Sequence, residues 1–198
     1  MDFILPAVIG YVLGSVPFGL VITKLAGLGD IRDIGSGNIG ATNVLRTGRK
    51  DLALATLALD GGKGAIAVAI AYSLSWRPEV AGAAAFLGHC FPVWLKFKGG
   101  KGVATFFGTI LALYFPAGLF AGLTWIGVAY ATRYSSLAAL IAAAATPLVF
   151  FAMGRPAFAG AALFMALLIY VRHQANIERL LQGAEPRIGK KDGHGASS

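Results

Sequence analysis

Lys96-Phe97-Lys98-Gly99-Gly100-Lys101-Gly102-Val103-Ala104-Thr105 is the stretch on which the reading of this chain turns. The text on either side is apolar and long enough to span a membrane, whereas here three lysines and three glycines fall within seven residues. Glycines let a backbone turn tightly and present consecutive N–H groups to an anion. Lysines supply mobile point charges for phosphate. Gly102 to Thr105 then reads as the opening of a helix, whose first turn has free N–H groups and the positive end of the helix dipole. The sharper reading is a phosphorylated ligand held at a membrane surface. The plainer one is that the lysines only mark the cytoplasmic flank of two spans. The stretch is not a Walker A loop: Gly102 stands where that motif has Ser or Thr, and no glycine lies five residues before Gly100.

Working outward, the chain of 198 residues is 57% hydrophobic and 13% charged, with a mean hydropathy of +0.70. A soluble domain carries about 25% charged residues, so this is an integral membrane protein. A cleaved leader is not expected, because Asp2 stands where a basic n-region would be. Apolar stretches at 3–28, 51–74, 79–95, 103–115, 118–132, 137–153 and 157–171 predict an all-α bundle of about seven transmembrane helices with short cytoplasmic motif loops. Pro6 and Pro17 interrupt the first, and Gly10-xxx-Gly14 and Gly118-xxx-Gly122 offer close-packing faces. Pro116 and Ala117 read as the turn between the fourth and fifth. Residues 1–189 read as one membrane domain and 190–198 as a polar, disordered tail.

Charge sets the orientation. Arg32, Arg46, Arg49 and Lys50 follow the first span, and Lys96, Lys98 and Lys101 follow the third. Arg133, Arg172, Arg179, Arg187, Lys190 and Lys191 fall on the same side, leaving Arg77 and Arg155 for the other. The positive-inside rule puts the N-terminus outside and the C-terminus in the cytoplasm, with every polar loop facing one end of the bundle. The net charge of +8 lies next to apolar spans. Anionic lipid and phosphate are therefore the expected partners, and nucleic acid is not. One cysteine, Cys90, excludes an internal disulfide and gives no metal cluster. No metal or cofactor is expected.

Three further constellations carry chemistry. The loop Gly35-Ser36-Gly37-Asn38-Ile39-Gly40-Ala41-Thr42-Asn43-Val44-Leu45-Arg46 suits a backbone-lined pocket for a polar headgroup, with Arg46 as a forked phosphate ligand. It suits equally a Gly/Asn-rich turn capping a short helix. Near the end, His173 and Asn176 lie one turn apart on one face if the last span continues through them. The alternative there is a solvated helix end whose histidine favours the dipole. Asp60 and Lys63, at i and i+3 inside a span, read as a paired, inward-facing scaffold. His89 reads as a hydrogen-bonded packing residue, and Cys90 as a small buried hydrophobe and not a nucleophile. Asp60-Gly61-Gly62-Lys63-Gly64 echoes Lys98-Gly99-Gly100-Lys101-Gly102, but the flanks do not match, so the echo reads as coincidence.

Three blocks together resemble the bacterial acyl-phosphate:glycerol-3-phosphate acyltransferase (PlsY) family. They are Gly35 to Asn43 with Arg46, then Gly88-His89 through Phe91-Pro92 to Thr105, and His173 with Asn176, Arg179 and Glu185. The similarity runs to about Lys190. It implies transfer of a fatty acyl group from acyl phosphate to the 1-hydroxyl of glycerol 3-phosphate in the bacterial inner membrane, giving lysophosphatidic acid. Ser36, Arg46, His173 and Asn176 would then be catalytic. Asn38, Asn43, Lys98, Gly99, Gly100, Lys101, Gly102, Thr105 and Ser136 would bind substrate, and Glu185 would be structural. The enzyme that makes acyl phosphate would be a further partner. The chemistry fits these residues: a mixed anhydride is already activated, and two anions held side by side need cations between them. Ser36, Asn176 and backbone N–H groups are candidate oxyanion donors. The proton goes to His173 or, by preference, to a substrate phosphate. An anion transporter competes, predicting polar groups near the midplane. A non-catalytic lipid-binding scaffold would explain the lysines but not Ser36, Asn38, His173 and Asn176.

Overall fold

The computed structural model describes residues 2–189; the expected tail at 190–198 lies outside them. Helices occupy all seven apolar stretches, but among the described residues only four are long and apolar enough to cross a membrane, or five if the bent last pair is one span, fewer than the seven expected. No strand occurs among the described residues. In chain order they are α1 (Ile4–Gly14), α2 (Phe18–Leu25), the single turn α3 (Ala41–Val44), α4 (Lys50–Ser73) and α5 (Pro78–Cys90). There follow α6 (Val103–Leu113), α7 (Phe115–Thr132), α8 (Ser135–Ala152), α9 (Pro156–Arg172) and α10 (Gln174–Leu181).

Prolines and left-handed residues set the boundaries. Pro78 and Pro156 open their helices at the position where a missing N–H costs nothing. Arg133 (φ 63°) ends α7 and Gly154 (φ 68°) lies beyond the end of α8. The first span is not one rod: it breaks at Ser15–Pro17 into α1 and α2, because Pro17 cannot donate to the carbonyl one turn back. The third ends at Cys90, five residues earlier than the apolar run suggested, where Pro92 stops it. The turn expected at Pro116-Ala117 lies instead at Tyr114, in extended backbone, with Pro116 inside the first turn of α7. The last span bends by 63° at His173 to become α10.

α1 lies on α5, α4 lies between α5 and α6, and α8 between α7 and α9, with α5 also meeting α9. Val68, Phe86, Phe106, Ile110, Phe150, Met165 and Ile169 fill the centre. Small residues bring backbones together: a Cβ at Gly10 or Gly14 would strike the backbone of Ala81 or Ala85, as the Gly10-xxx-Gly14 spacing predicts. Gly118 packs on Leu111, but Gly122 faces open space, so the second predicted pair is half used. The glycines after Asp60 serve the same end, Gly61 against Gly108 and Gly64 against Thr105 and Thr109. They sit mid-helix while Gly99 to Gly102 sit in a loop, so the echo between the two is no repeat.

Helix length decides where the site falls. α4 has 24 residues, about 36 Å, enough for a hydrocarbon core of about 30 Å. α6 has 11, about 16 Å. Its first turn therefore starts deep in the bundle, where the Thr105 hydroxyl donates to the carbonyl of Asp60, midway along α4, at 2.8 Å. The loop of residues 91–102 folds back on the end of α5, Gly99 N and Gly100 N donating to Cys90 O and His89 O. Tyr11 Oη donates to Phe91 O and Trp94 Nε1 to Ser15 O, both at 2.7 Å, fastening the loop to the end of α1. Arg77 and Arg155 mark the opposite end, each over an aromatic ring: Phe3 at 4.4 Å and Tyr114 at 4.1 Å.

Candidate active site

Lys101, half-buried, directly precedes the N-cap of α6. Its ammonium donates to Asn176 Oδ1 on α10. Asn176 Nδ2 in turn donates to Glu185 Oε1 at 2.6 Å, and Arg179 Nε donates to Glu185 Oε2 at 2.8 Å. Burial pushes the Lys101 ammonium down to about 8. Glu185 pulls it back up, while Arg179, Arg172 and Arg46 push it further down. Three arginines thus bear on Lys101, a concentration of positive charge that a bound anion would relieve. Burial would raise Glu185, but hydrogen bonds from its neighbours and the Arg179 charge hold it below the usual carboxylate range. Ser136 lies beside that carboxylate, close enough to bias it but outside strict hydrogen-bond geometry.

His173 occupies the bend between α9 and α10, and Asn176 remains one turn further on, as the spacing predicts. Its Nδ1 lies 2.8 Å from the carbonyl of Ile169. A carbonyl only accepts, so Nδ1 carries the proton and Nε2 is left as an acceptor. Burial, with the nearby Lys101 and Arg172 charges, lowers this imidazole to about 4. It is neutral at physiological pH and a weak base.

The first loop is built around Asn43. This amide is buried and fully engaged: Nδ2 donates to Ile31 O and Ile34 O, both at 2.9 Å, and Oδ1 accepts from Ser36 N at 3.0 Å and Ser36 Oγ at 3.3 Å. Asn43 therefore holds Ser36 in place and is not free to bind substrate itself. Gly35 and Gly37 flank Ser36 with φ of 57° and 68°, conformations that favour glycine. Any Cβ at Gly35 would strike Asn43 and the Arg46 side chain lying across it. Asn38 is half-buried beside Gly40.

The glycine loop departs from expectation. The N–H groups of Gly99 and Gly100 are engaged within the chain: they donate to Cys90 O and His89 O at 3.1 Å, closing the end of α5. A Cβ at Gly99 would strike His89 O, one at Gly100 the His89 ring, and one at Gly102 (φ 81°) the Phe86 ring. These glycines are present for close approach to α5. Thr105 is likewise spent, on Asp60 O. Lys98 is exposed on the turn before the glycines.

Beneath the loop lies the buried charge pair. Lys63 Nζ donates to Asp60 Oδ1 at 2.9 Å, to Val16 O at 2.9 Å and to His89 Nδ1 at 2.8 Å. Three donors meet three acceptors, and one of these is a carbonyl exposed by the Pro17 break. The residue that composition and spacing missed is Arg172. It counted only as a flanking charge, yet its guanidinium binds the carbonyls of Gly99 and Gly100.

The family profile described as glycerol-3-phosphate acyltransferase matches residues 4–183. Relatives named glycerol-3-phosphate acyltransferase include one from Dinoroseobacter shibae, 60% identical over 91% of this chain and 90% of its own. Another, from Paramagnetospirillum magneticum, is 63% identical over 92% of each. A crystal structure of PlsY (YgiH), an integral membrane glycerol 3-phosphate acyltransferase in its glycerol 3-phosphate form, superposes with a TM-score of 0.89 at 41% identity, covering 96% of both chains. Its lysophosphatidic acid form gives 0.87 at 40%, again over 96% of both.

Proposed function

This chain belongs to the glycerol-3-phosphate acyltransferase family and is a multi-pass membrane enzyme of that class, and on that premise we propose how it acts: it transfers a fatty acyl group from acyl phosphate to the 1-hydroxyl of glycerol 3-phosphate. Lys101 binds the glycerol phosphate, with Arg46 completing its ligands. Asn176 and Glu185 hold the ammonium in place. The concentration of cations around Lys101, with its ammonium held by Asn176, is the observation that carries this reading, since it offers two phosphate groups a place side by side.

In the transfer, the hydroxyl oxygen attacks the acyl carbonyl carbon and the carbon–oxygen bond to phosphate breaks. Inorganic phosphate leaves. An imidazole with a pKa of about 4 is too weak to take the hydroxyl proton outright. His173 instead accepts the hydroxyl's hydrogen bond at Nε2 and aims its lone pair, and the proton passes to a substrate phosphate. Ser36 Oγ, at 3.3 Å only loosely bonded to Asn43 Oδ1, turns its one proton from that amide to the developing oxyanion. Asn38 and Lys98 line the approach; Asn43, Thr105 and Ser136 are assigned to the scaffold. The acyl chain lies between helices. By the positive-inside rule the site and C-terminus face the cytoplasm of the bacterial inner membrane, with the N-terminus outside. The acyl donor comes from a separate acyl-activating enzyme. The transporter reading loses its residues, because all three Lys63 donors are spent on the chain itself.

The test is purified protein given glycerol 3-phosphate with palmitoyl phosphate or palmitoyl-CoA. Lysophosphatidic acid from the acyl phosphate alone is the expected result. Product from the thioester alone would overturn the donor assignment.

A further inference from the structure

Arg172 ends α9, one residue before His173. Its Nε lies 3.1 Å from the carbonyl oxygen of Gly100 and its Nη2 2.7 Å from that of Gly99, with the Phe91 ring 5.5 Å from the guanidinium. The N–H groups of Gly99 and Gly100 are held on the other side, by Cys90 O and His89 O. All the peptide bonds here are trans, so C=O and N–H of one unit point in opposite directions. The Gly99–Gly100 unit is therefore gripped at both ends. The Gly100–Lys101 unit is gripped by its carbonyl, which turns the Lys101 N–H away from Arg172.

Glycine units rotate at little cost. Left to themselves, these two could turn their carbonyl oxygens, each a partial negative charge, towards the place an anion occupies, and swing Lys101 out of line. We infer that Arg172 is a positioning residue: it locks the carbonyls of Gly99 and Gly100 away from the phosphate and so aims Lys101 at it. This rests on the reading of Lys101 as the phosphate ligand. The fork matters more than the charge. Two carbonyls engaged from one planar group need a guanidinium, and an ammonium would keep the charge but lose the second contact. A residue that bound phosphate directly would tolerate lysine far better.

The experiment compares Arg172→Lys and Arg172→Gln with the parent, as full-length protein in detergent. Hydrogen exchange is followed at residues 96–105, and steady-state rates are measured against glycerol 3-phosphate. In both variants the Gly99 and Gly100 amides should exchange faster by about tenfold or more, with KM for glycerol 3-phosphate up about tenfold and kcat changed far less. Unaltered exchange would overturn the lock. So would an Arg172→Lys enzyme with the parent KM, which would make Arg172 a simple charge. A fall in kcat at constant KM would place it in the chemical step instead. Should Arg172→Gln fail to fold, the lysine variant decides alone. The exchange arm needs no substrate, so a parent inactive with glycerol 3-phosphate would sink the functional reading and leave the lock tested.

Discussion

Two lysines lie inside this bundle, and their surroundings are opposites. Lys63 meets a carboxylate, a backbone carbonyl and an imidazole nitrogen, one acceptor for each of its donors. Lys101 meets one amide oxygen and sits among Arg46, Arg172 and Arg179. The first is closed: nothing from outside could improve it. The second is open: its ammonium lies among other cations and reaches Glu185 only through Asn176. A buried cation whose donors are all used reads as scaffold, and one placed among others of its own sign reads as a candidate site for an anion.

The closed lysine should show the largest effect, and it should be on stability. Asp60→Ala leaves Lys63 buried without its counter-charge, which costs about 3–5 kcal/mol. Thermal unfolding in detergent should show a marked fall in midpoint. Replacing both partners, Asp60→Leu with Lys63→Met, should recover most of it, since a matched apolar pair is often neutral. An Asp60→Ala protein as stable as the parent would show that the pair is not structural and would erase the contrast.

The open lysine should behave the other way. Lys101→Ala should raise KM for glycerol 3-phosphate by about 10–100-fold, the loss expected for one charge-assisted ligand to a phosphate. The unfolding midpoint should not fall, because the change removes a cation from among cations. A destabilised but active Lys101→Ala enzyme would make Lys101 a second scaffold lysine.

A smaller effect sharpens the comparison through pH. The Lys101 ammonium is held at about 8 in the free protein, first by burial. A bound phosphate favours the charged form, so binding takes up a proton once pH exceeds that value. Affinity is full below it and weakens as pH rises through it. KM for glycerol 3-phosphate should rise about tenfold between about pH 7 and 9. In Lys101→Arg the rise should vanish, because guanidinium stays charged. The same rise in the arginine variant would assign the titration to another group.

The bundle was legible because its causes are short-ranged and compositional. Apolar runs follow from the lipid solvent, and Arg77 and Arg155 stand apart from the other cations in any count of charges. The Asp60–Lys63 pair and the His173–Asn176 turn were legible because helical spacing alone puts such residues together. Peptide-plane direction was not. Gly99-Gly100 looks the same in sequence whether its N–H groups cradle a phosphate or, as here, close the end of α5. Asn43 likewise looks like a ligand until its partners are seen to be Ile31, Ile34 and Ser36. Arg172 could be read only as a flanking charge, because its partners are backbone carbonyls 72 and 73 residues away.

Thr105 gives the finest test of the contrast, because the phosphate-loop reading and the scaffold reading disagree about one hydroxyl. It lies four residues after Lys101, inside the motif, yet its Oγ1 donates to Asp60 O at 2.8 Å and it is fully buried. That bond joins α6 to α4 beside the closed lysine, not the open one. Thr105→Val keeps the shape and removes the donor, leaving one backbone carbonyl short of a partner. The expected cost is about 1–2 kcal/mol of stability, with KM for glycerol 3-phosphate unchanged. A substrate ligand would give the reverse, a raised KM at constant midpoint. That outcome would extend the open site down the first turn of α6 and move the boundary between the two lysines one helical turn deeper into the bundle.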